Sequence, residues 1–331
     1  MTIAVVPKIS VVIPAFNEAQ GLASTISALR AEMHSQEVEF EVILVDDGST
    51  DDTWKVINQI ALEFPGLRGI RLSRNFGKEA ALTAGLDAAN GDAVIVMDGD
   101  SQHPPFLIPE MVRVWRSGAA DVVEAVKQYR GTESVISRLR ARLFYSLLRL
   151  LSGFNLEGMS DFKLLDRRVV ENWRKLGEHN RFFRGMVAWL GFRHVQIPFS
   201  VQDRAAGESG WSVWKLIRLA IGAITSFSTL PLHFSTLAGV VFAIVAFFLG
   251  VQTLYMKFSG QSVAGFTTVI LLLLIIGSAV LLSVGVIGEY VAQIYQEVKR
   301  RPSYLVSEHF GTDLPERRHD RDQDQVRLPN K

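Results

Sequence analysis

The stretch AVIVMDGDSQHPP, residues 93–105, places two acidic side chains one glycine apart at the end of an apolar run. A short run of β-branched residues bounded by turn residues is typical of a buried strand. Asp98 and Asp100 follow that strand directly, and neighbouring carboxylates repel each other unless something compensates their charge. The stretch therefore predicts a central strand followed by a loop that needs a positive partner.

On either side of this stretch, short apolar runs alternate with helical patterns. The predicted strands are ISVVIP, FEVILV, GIRLS, AVIVMD and DVVEAV, and helices are expected from about Glu18, from about Asp51 and from Lys78. This alternation predicts parallel strands joined by right-handed helical crossovers. The expected fold class is α/β, with a doubly wound, Rossmann-like sheet.

Polar loops follow four of the predicted strands, with the sequences PAFNE, DDGST, SRNFGKE and DGDSQH. In sheets of this kind, ligands bind at the carboxyl ends of the strands. The four loops should therefore converge on one edge of the sheet and form a ligand site there.

Asp98 and Asp100 can be interpreted in two ways. Acidic residues after a strand often cap a turn or remain solvated. Alternatively, their oxygens suit Mg²⁺ or Mn²⁺, which would compensate the repulsion and bridge to a diphosphate, with Gly99 allowing close approach of the backbone. We favour the metal site. Gln102 is either a third, neutral ligand or a residue that only forms local hydrogen bonds.

The second and third loops also allow two interpretations. Ser49 and Asp52 have capping-box spacing for the next helix, which would make part of DDGST structural. One of Asp46 and Asp47 would still be available to accept hydrogen bonds from a base or ribose. Residues 74–78, RNFGK, form a basic, glycine-containing loop that opens a helix, which suits contact with a phosphate or a base.

Two segments, 234–256 and 258–288, contain no Asp, Glu, Lys or Arg. Each exceeds the roughly 20 residues that cross a bilayer, so they predict a hairpin of two transmembrane helices at about 234–256 and 264–288. The basic cluster EVKRR follows the second helix, the turn carries only Lys257, and MTIAVVPKIS contains no secretory signal. We expect a multi-pass protein of the cytoplasmic (inner) membrane, with the N-terminal domain and both termini in the cytoplasm.

The chain also contains two amphipathic segments with basic residues. In residues 134–152, apolar residues recur with helical spacing while Arg138, Arg142 and Arg149 share another face. This pattern fits a solvated surface helix, but the membrane hairpin downstream favours a helix at the lipid interface. Residues 211–232 predict a second interfacial helix, and the charged tail from Ser307 is expected to be disordered.

Composition excludes several classes of function. The 331 residues include no cysteine, which excludes disulfides and thiol chemistry. With a net charge of +1 and no nucleic-acid motif, we expect no nucleic-acid partner. His103, His194 and His233 do not have metal-ligand spacing and are predicted to be structural.

PAFNE, VDDGS, RNFGKEAAL and DGDSQHPP together resemble the family 2 glycosyltransferases, which have the GT-A fold. In the second half, SDFKLLDRRVV, RFFRG, AAGESGW, GAITSFSTLPL and VIGEYVAQIYQEVKRRPSY resemble the bactoprenol glucosyltransferase branch of the polyprenyl-phosphate glycosyltransferases, relatives of dolichol-phosphate mannose synthase. The resemblance extends from about Lys8 to Tyr304. Two positions depart from the pattern: Ser160 stands where relatives commonly have Gly, and Gly210-Trp211 replaces a usual Lys or similar residue.

The resemblance implies inverting transfer of a sugar, with glucose from UDP-glucose expected, to undecaprenyl phosphate for O-antigen or cell-wall modification. It implies Mn²⁺ or Mg²⁺ on Asp98 and Asp100, and it places Asp161 facing the acceptor, so Asp100 and Asp161 are the expected catalytic residues. The resemblance also implies a homo-oligomer, expected to be a tetramer, and a separate small flippase. With the loops above, the expected nucleotide-sugar-binding residues are Pro14, Asn17, Glu18, Asp46, Asp47, Phe76, Gly77, Lys78, Asp98 and Gly99.

The acceptor is expected to need little deprotonation, because a phosphate monoester with a second pKa of about 6 is largely dianionic at neutral pH. We therefore hypothesise that Asp161 chiefly orients the acceptor site and its arginines; a structural, salt-bridged Asp is the alternative. Arginine matches phosphate bidentately, which favours basic residues as acceptor contacts. The candidates are Lys127, Arg130, Arg138, Arg204 and Ser209.

The expected domains are a catalytic domain at 1–210, an interfacial helix at 211–232, the hairpin at 233–290 and a basic segment with its tail at 291–331. Three alternatives remain open. Polymer-forming synthases of the same fold carry a Gln-x-x-Arg-Trp motif and more spans, which this chain lacks. A non-catalytic membrane scaffold would not need the acidic motifs. The same chemistry with mannose or a modified arabinose cannot be distinguished by these residues.

Overall fold

The computed structural model describes residues 6–34, 38–99, 103–127, 160–179, 181–199, 229–260 and 265–311, and the statements below concern these residues. The strands are β1 (Lys8–Ala15), β2 (Glu39–Asp46), β3 (Leu67–Leu72), β4 (Ala93–Val96), β5 (Val122–Lys127), β6 (Lys163–Asp166), β7 (His194–Phe199) and β8 (Val306–Phe310). The helices are α1 (Leu22–His34), α2 (Thr53–Glu63), α3 (Lys78–Ala88), α4 (Ile108–Arg116), α5 (Arg167–Lys175), α6 (Phe183–Trp189), α7 (Leu230–Phe258) and α8 (Phe266–Lys299).

The chain divides into two compact units. The first comprises Met1–Asp121, Phe162–Val170 and Tyr304–Lys331. Its strands lie in the order β6-β4-β1-β2-β3-β8, with β1 parallel to both β2 and β4, and β2 parallel to β3. Because the order turns back at β1, with β2 and β3 on one side and β4 on the other, the predicted doubly wound α/β sheet is confirmed.

The core of this unit is the central strands, which are buried along their length. All four residues of β4 are buried, as are seven of the eight residues of β1. Strands covered on both faces require continuous rather than alternating apolar sequence, which is why AVIV and ISVVIP lack polar alternation. Helix α3 begins at Lys78 as predicted and buries the small residues of its middle turns.

One expectation about the end of the chain is wrong. The sequence predicts disorder from Ser307 onward, but Val306–Phe310 forms β8, which is antiparallel to β3. The edge of β3 offers unpaired backbone groups that a short extended segment can satisfy. Glu308 also accepts hydrogen bonds from Trp54 Nε1 at 3.0 Å and from Arg71 Nη1 at 2.8 Å. Residues 312–331 lie outside the described ranges.

The second unit comprises Val122–Asp161 and Glu171–Ser303. Within it β5 pairs in parallel with β7, and the Trp173 and Phe183 rings pack edge to face at 5.5 Å. Helices α7 and α8, of 29 and 34 residues, are long and apolar enough to cross a membrane by length and composition. Their apolar windows are not buried in the protein, which is consistent with a membrane location.

Helix α7 contains the predicted span 234–256, but α8 continues well past the predicted end at 288. The hydropathy pattern ends where charged residues appear, whereas helical structure continues through EYVAQIYQEVK because those residues are compatible with a helix. The amphipathic segment 134–152 and residues 211–228 lie outside the described ranges, so both interfacial helices stay predictions.

Candidate active site

The segments after β1 and β2 are joined by hydrogen bonds from backbone N–H groups to side-chain oxygens. Asn17 N–H donates to Ser49 Oγ and Glu18 N–H donates to Thr53 Oγ1, both at 2.9 Å, while Asn17 Oδ1 accepts from Thr50 N–H at 2.9 Å. Asn17 adopts φ 55°, a left-handed conformation that Asn tolerates better than most residues. The PAFNE and DDGST loops therefore form one hydrogen-bonded surface.

The loops after β2 and β3 are held together by Asp47. Its Oδ1 accepts from Phe76 N–H at 2.8 Å and its Oδ2 accepts from Gly77 N–H at 2.9 Å. Gly48 has φ 67°, and a Cβ there would lie 2.4 Å from the carbonyl carbon of Arg74. The two loops thus touch backbone to backbone, which only glycine permits at this position.

Asp46 and Asp47 are both buried, and their carboxylates already have partners. Asp46 Oδ1 accepts from Ser49 N–H at 2.9 Å, and its Oδ2 lies 3.2 Å from Arg71 Nε. Burial raises the pKa of the Asp47 carboxyl; the hydrogen bonds from Phe76 and Gly77 oppose this, and the nearby Asp46 carboxylate adds to the rise in pKa. A base or ribose would therefore have to donate its hydrogen bonds to other lone pairs of the Asp46 and Asp47 carboxylates.

The predicted capping box is wrong. Helix α2 begins at Thr53, and Ser49 Oγ accepts from Asn17 rather than from the first turn of the helix. Asp51 Oδ1 instead accepts from Thr53 N–H at 3.0 Å. The reason is that the chain turns for three more residues before the helix, so Ser49 faces the neighbouring loop.

The loop after β4 meets the loops after β1 and β3. Lys78 Nζ lies 2.5 Å from Asp98 Oδ1. A Cβ on Gly99 would lie 2.4 Å from Glu18 Oε2, so the Glu18 carboxylate packs directly against the Gly99 backbone. Thr25 Oγ1 also donates to Gly99 O at 3.0 Å. The four polar loops therefore converge on one edge of the sheet, as predicted from the sequence.

His103 fixes the start of the acidic loop. Its Nδ1 accepts from Asp98 N–H at 2.8 Å, so the proton of a neutral ring lies on Nε2. The ring stacks on Phe162 with centroids 5.1 Å apart. The buried His103 thus has a structural contact of the kind expected, while Asp98 keeps part of its side chain exposed.

The donor chemistry of the acidic loop fits a hard divalent cation. Asp98 offers carboxylate oxygens, the ligands that Mg²⁺ and Mn²⁺ prefer, and the contact with Lys78 shows that the same oxygens attract positive charge. Asp100 and Gln102 lie outside the described ranges. Among described residues, no group of three His, Asp or Glu side chains could hold a metal ion. The metal site therefore stays a prediction that Asp98 fits.

In the second unit, Asp161 forms a bidentate ion pair with Arg184, a partner that the sequence analysis did not name. Arg184 Nε lies 2.7 Å from Oδ1 of Asp161 and Nη2 lies 2.9 Å from Oδ2. Ser160, at the position where relatives commonly have Gly, donates from Oγ to Ala125 O at 2.5 Å. The two partners are 23 residues apart, so no periodicity could reveal the pair; the only signal was an arginine within the RFFRG motif.

The expected acceptor-phosphate residues are mostly not placed. Lys127 ends β5, and its side chain is outside what can be described. Arg130, Arg138, Arg204 and Ser209 all lie outside the described ranges.

The chain is similar to known proteins over most of its length. The family described as "Glycosyl transferase family 2" matches residues 10–174. The chain is 38% identical to the SfII prophage-derived bactoprenol glucosyl transferase of Shigella flexneri, over 92% of this chain and 99% of that protein. It is also 38% identical to a prophage bactoprenol glucosyl transferase homolog of Escherichia coli K12, over 90% of this chain and 98% of that protein.

A solved structure, glucosyl-3-phosphoglycerate synthase from Mycobacterium tuberculosis in complex with UDP, is 24% identical, with a TM-score of 0.45 over 66% of this chain and 79% of that one. The sequence matches extend over the acidic loops, the Asp161 region and both apolar helices. They confirm the resemblance that the motifs indicated. The chain belongs to glycosyl transferase family 2.

Proposed function

We propose that this enzyme transfers glucose from UDP-glucose, with inversion, to undecaprenyl phosphate at the cytoplasmic face of the membrane. The observation that carries the proposal is the 38% identity to a bactoprenol glucosyl transferase over 99% of that protein's length. Because the similarity includes the membrane hairpin as well as the catalytic domain, it supports the lipid acceptor as well as the sugar donor.

The donor is assigned to the edge where the four loops converge. The acceptors proposed for the nucleoside are the buried Asp46 and Asp47 together with Asn17 and Glu18, and Pro14 is the last residue but one of β1. Gly77 and Lys78 open α3, whose N-terminus favours an anion. Arg74 lies over the Phe76 ring at 4.7 Å and adds positive charge to this loop. These features support a diphosphate lying between α3 and the acidic loop.

A divalent cation is assigned to Asp98 and Asp100, with Gln102 as a neutral ligand. When bound, it would stabilise the negative charge that builds on the departing diphosphate. Lys78 would also stabilise this negative charge, because its ammonium lies beside Asp98 at the start of α3. Mn²⁺ and Mg²⁺ both suit this oxygen set.

The acceptor requires orientation more than deprotonation. A phosphate monoester is largely dianionic above its second pKa of about 6, so its oxygen is already nucleophilic at neutral pH. Asp161 is buried and holds Arg184 through two charge-assisted hydrogen bonds. This arrangement favours an orienting role for Asp161 over that of a strong general base.

The membrane hairpin would hold the enzyme at the bilayer that carries the lipid acceptor. We propose that α7 and α8 span the bilayer with both termini in the cytoplasm. A homotetramer and a small flippase partner stay predictions from the resemblance.

The test is UDP release by purified protein with undecaprenyl phosphate, Mn²⁺ or Mg²⁺ and a panel of nucleotide sugars. Turnover should require UDP-glucose and the lipid phosphate, and it should be lost in Asp100→Asn. A preference for GDP-mannose would show that the enzyme transfers mannose instead of glucose. Metal-dependent nucleotide binding without turnover of any donor would favour the scaffold alternative.

A further inference from the structure

The Asp161–Arg184 pair is asymmetric in its exposure. The Asp161 side chain is only 7% exposed, whereas 37% of the Arg184 side chain is exposed. An incoming molecule therefore meets the guanidinium rather than the carboxylate. A carboxylate acting as a general base must itself reach the acceptor, which this burial opposes.

Both partners of the pair are fixed by their surroundings. Ser160, the residue before Asp161, is bound to β5 through its N–H to Glu124 Oε1 at 3.2 Å and through its hydroxyl to Ala125 O. Phe183, the residue before Arg184, is fully buried against the Trp173 ring. The guanidinium is therefore held in one orientation, which lowers the entropy lost on binding an anion.

We propose that Arg184 binds the phosphate of the lipid acceptor, and that Asp161 is a positioning residue that acts through Arg184. A guanidinium presents five N–H donors in a planar fork, and the pair with Asp161 engages Nε and Nη2. Its exposed part carries the positive charge that a phosphate dianion requires. This inference rests on the proposed function, which supplies the phosphate acceptor.

The experiment compares Arg184→Gln, Arg184→Lys and Asp161→Asn with the unmodified enzyme. Turnover is measured against a short-chain polyprenyl phosphate and, separately, against UDP-glucose. Loss of hydrogen bonds to a charged group should raise the acceptor KM at least about tenfold in Arg184→Gln, with the donor KM within about twofold. Arg184→Lys keeps the charge without the fork, so its acceptor KM should lie between those of the enzyme and of Arg184→Gln.

Two further measurements separate binding from a structural effect. Inhibition by the short-chain polyprenyl phosphate should exceed inhibition by the matching polyprenol in the enzyme, and this preference should shrink in Arg184→Gln. Added guanidinium ion should partly restore Arg184→Ala. Arg116→Gln, an equal charge change at an exposed position of α4, serves as the control and should leave both KM values unchanged.

The double variant Asp161→Asn/Arg184→Gln should be no worse in acceptor KM than Arg184→Gln, because Asp161 acts through the arginine. An unchanged acceptor KM in Arg184→Gln, with the enzyme itself active, would overturn the inference and leave the proposed function intact. An enzyme with no turnover on any polyprenyl phosphate would overturn the proposed function and the inference together.

Discussion

At the scale of single residues, two glycines of the active-site edge face different obstacles. A Cβ on Gly48 would meet backbone atoms of Arg74 and Asn75, and its φ of 67° is unfavourable for other residues. A Cβ on Gly99 would clash with Glu18 Oε2, the end of a side chain that can rotate, and would meet Ile13 and Leu22 only at ordinary contact distance. Substitution by alanine should therefore lower the stability of the fold at Gly48 and weaken ligand binding at Gly99.

We predict that Gly48→Ala loses roughly 1–3 kcal/mol of unfolding free energy or more, because backbone strain and the clash add. Gly99→Ala should lose only about 0.5–1.5 kcal/mol, the scale of a side chain forced off its rotamer, yet weaken UDP-glucose binding by displacing Glu18. Urea denaturation and donor titration check both variants. Equal losses of stability in the two variants would contradict this explanation.

Asp161 gives a second prediction at this scale, on the pH dependence of catalysis. If Asp161 orients Arg184, the rate defect of Asp161→Asn should persist when the pH is raised well above the phosphate pKa of about 6. The pH profile of kcat/KM for the acceptor measures this. A defect that disappears at high pH would instead assign Asp161 the role of general base.

At the scale of secondary-structure elements, β8 connects the end of the chain to the donor side of the sheet. Glu308 binds Arg71, and Arg71 Nε lies 3.2 Å from the buried Asp46 carboxylate. Tyr304 OH donates to Asp87 at 2.9 Å, so the segment is fixed at two points. β8 therefore contributes to the charge balance around Asp46 as well as covering an edge strand.

The hydrogen bonds from Arg71 and then Trp54 lower the pKa of the Glu308 carboxyl. A carboxyl whose pKa is lowered by folding adds stability above its unfolded pKa of about 4.3, and this stability is lost as the pH falls through the folded pKa. The enzyme should therefore be more stable than Glu308→Gln at pH 7, with the difference vanishing in acid. Urea denaturation at several pH values checks this, with exposed Glu63→Gln as control. A difference that grows as the pH falls would be the opposite result.

The elements also show what the sequence could predict. Strands β1 to β5 and the start of α3 at Lys78 followed from local patterns, whereas β6 and β7 were not predicted. The convergence of the loops followed from parallel topology. β8 could not be predicted, because a short charged segment becomes a strand only when an exposed edge accepts it. Arg184 was missed for a related reason: its pairing with Asp161 depends on tertiary contact, whereas Asp98 is marked by the strand directly before it.

At the scale of the whole molecule, metal binding should matter more for the rate than for donor contact. Removing divalent ions, or Asp100→Asn, should lower kcat at least about a hundredfold, the scale of losing one electrostatic stabiliser of the developing charge. UDP-glucose affinity should fall much less, because Asn17, Asp46 and Lys78 remain. Donor titration with and without chelator, beside turnover, measures both quantities. Loss of donor binding in parallel with rate would contradict this division of roles.

Glucosyl transfer to the lipid is tested most directly by following labelled glucose from UDP-glucose into the lipid extract of a reaction with undecaprenyl phosphate. We expect label in a lipid-soluble glucosyl phosphate, formed only with lipid phosphate and divalent ion, and absent in Asp100→Asn. UDP release with the label remaining in water would show hydrolysis or another acceptor. That result would contradict transfer to a polyprenyl phosphate.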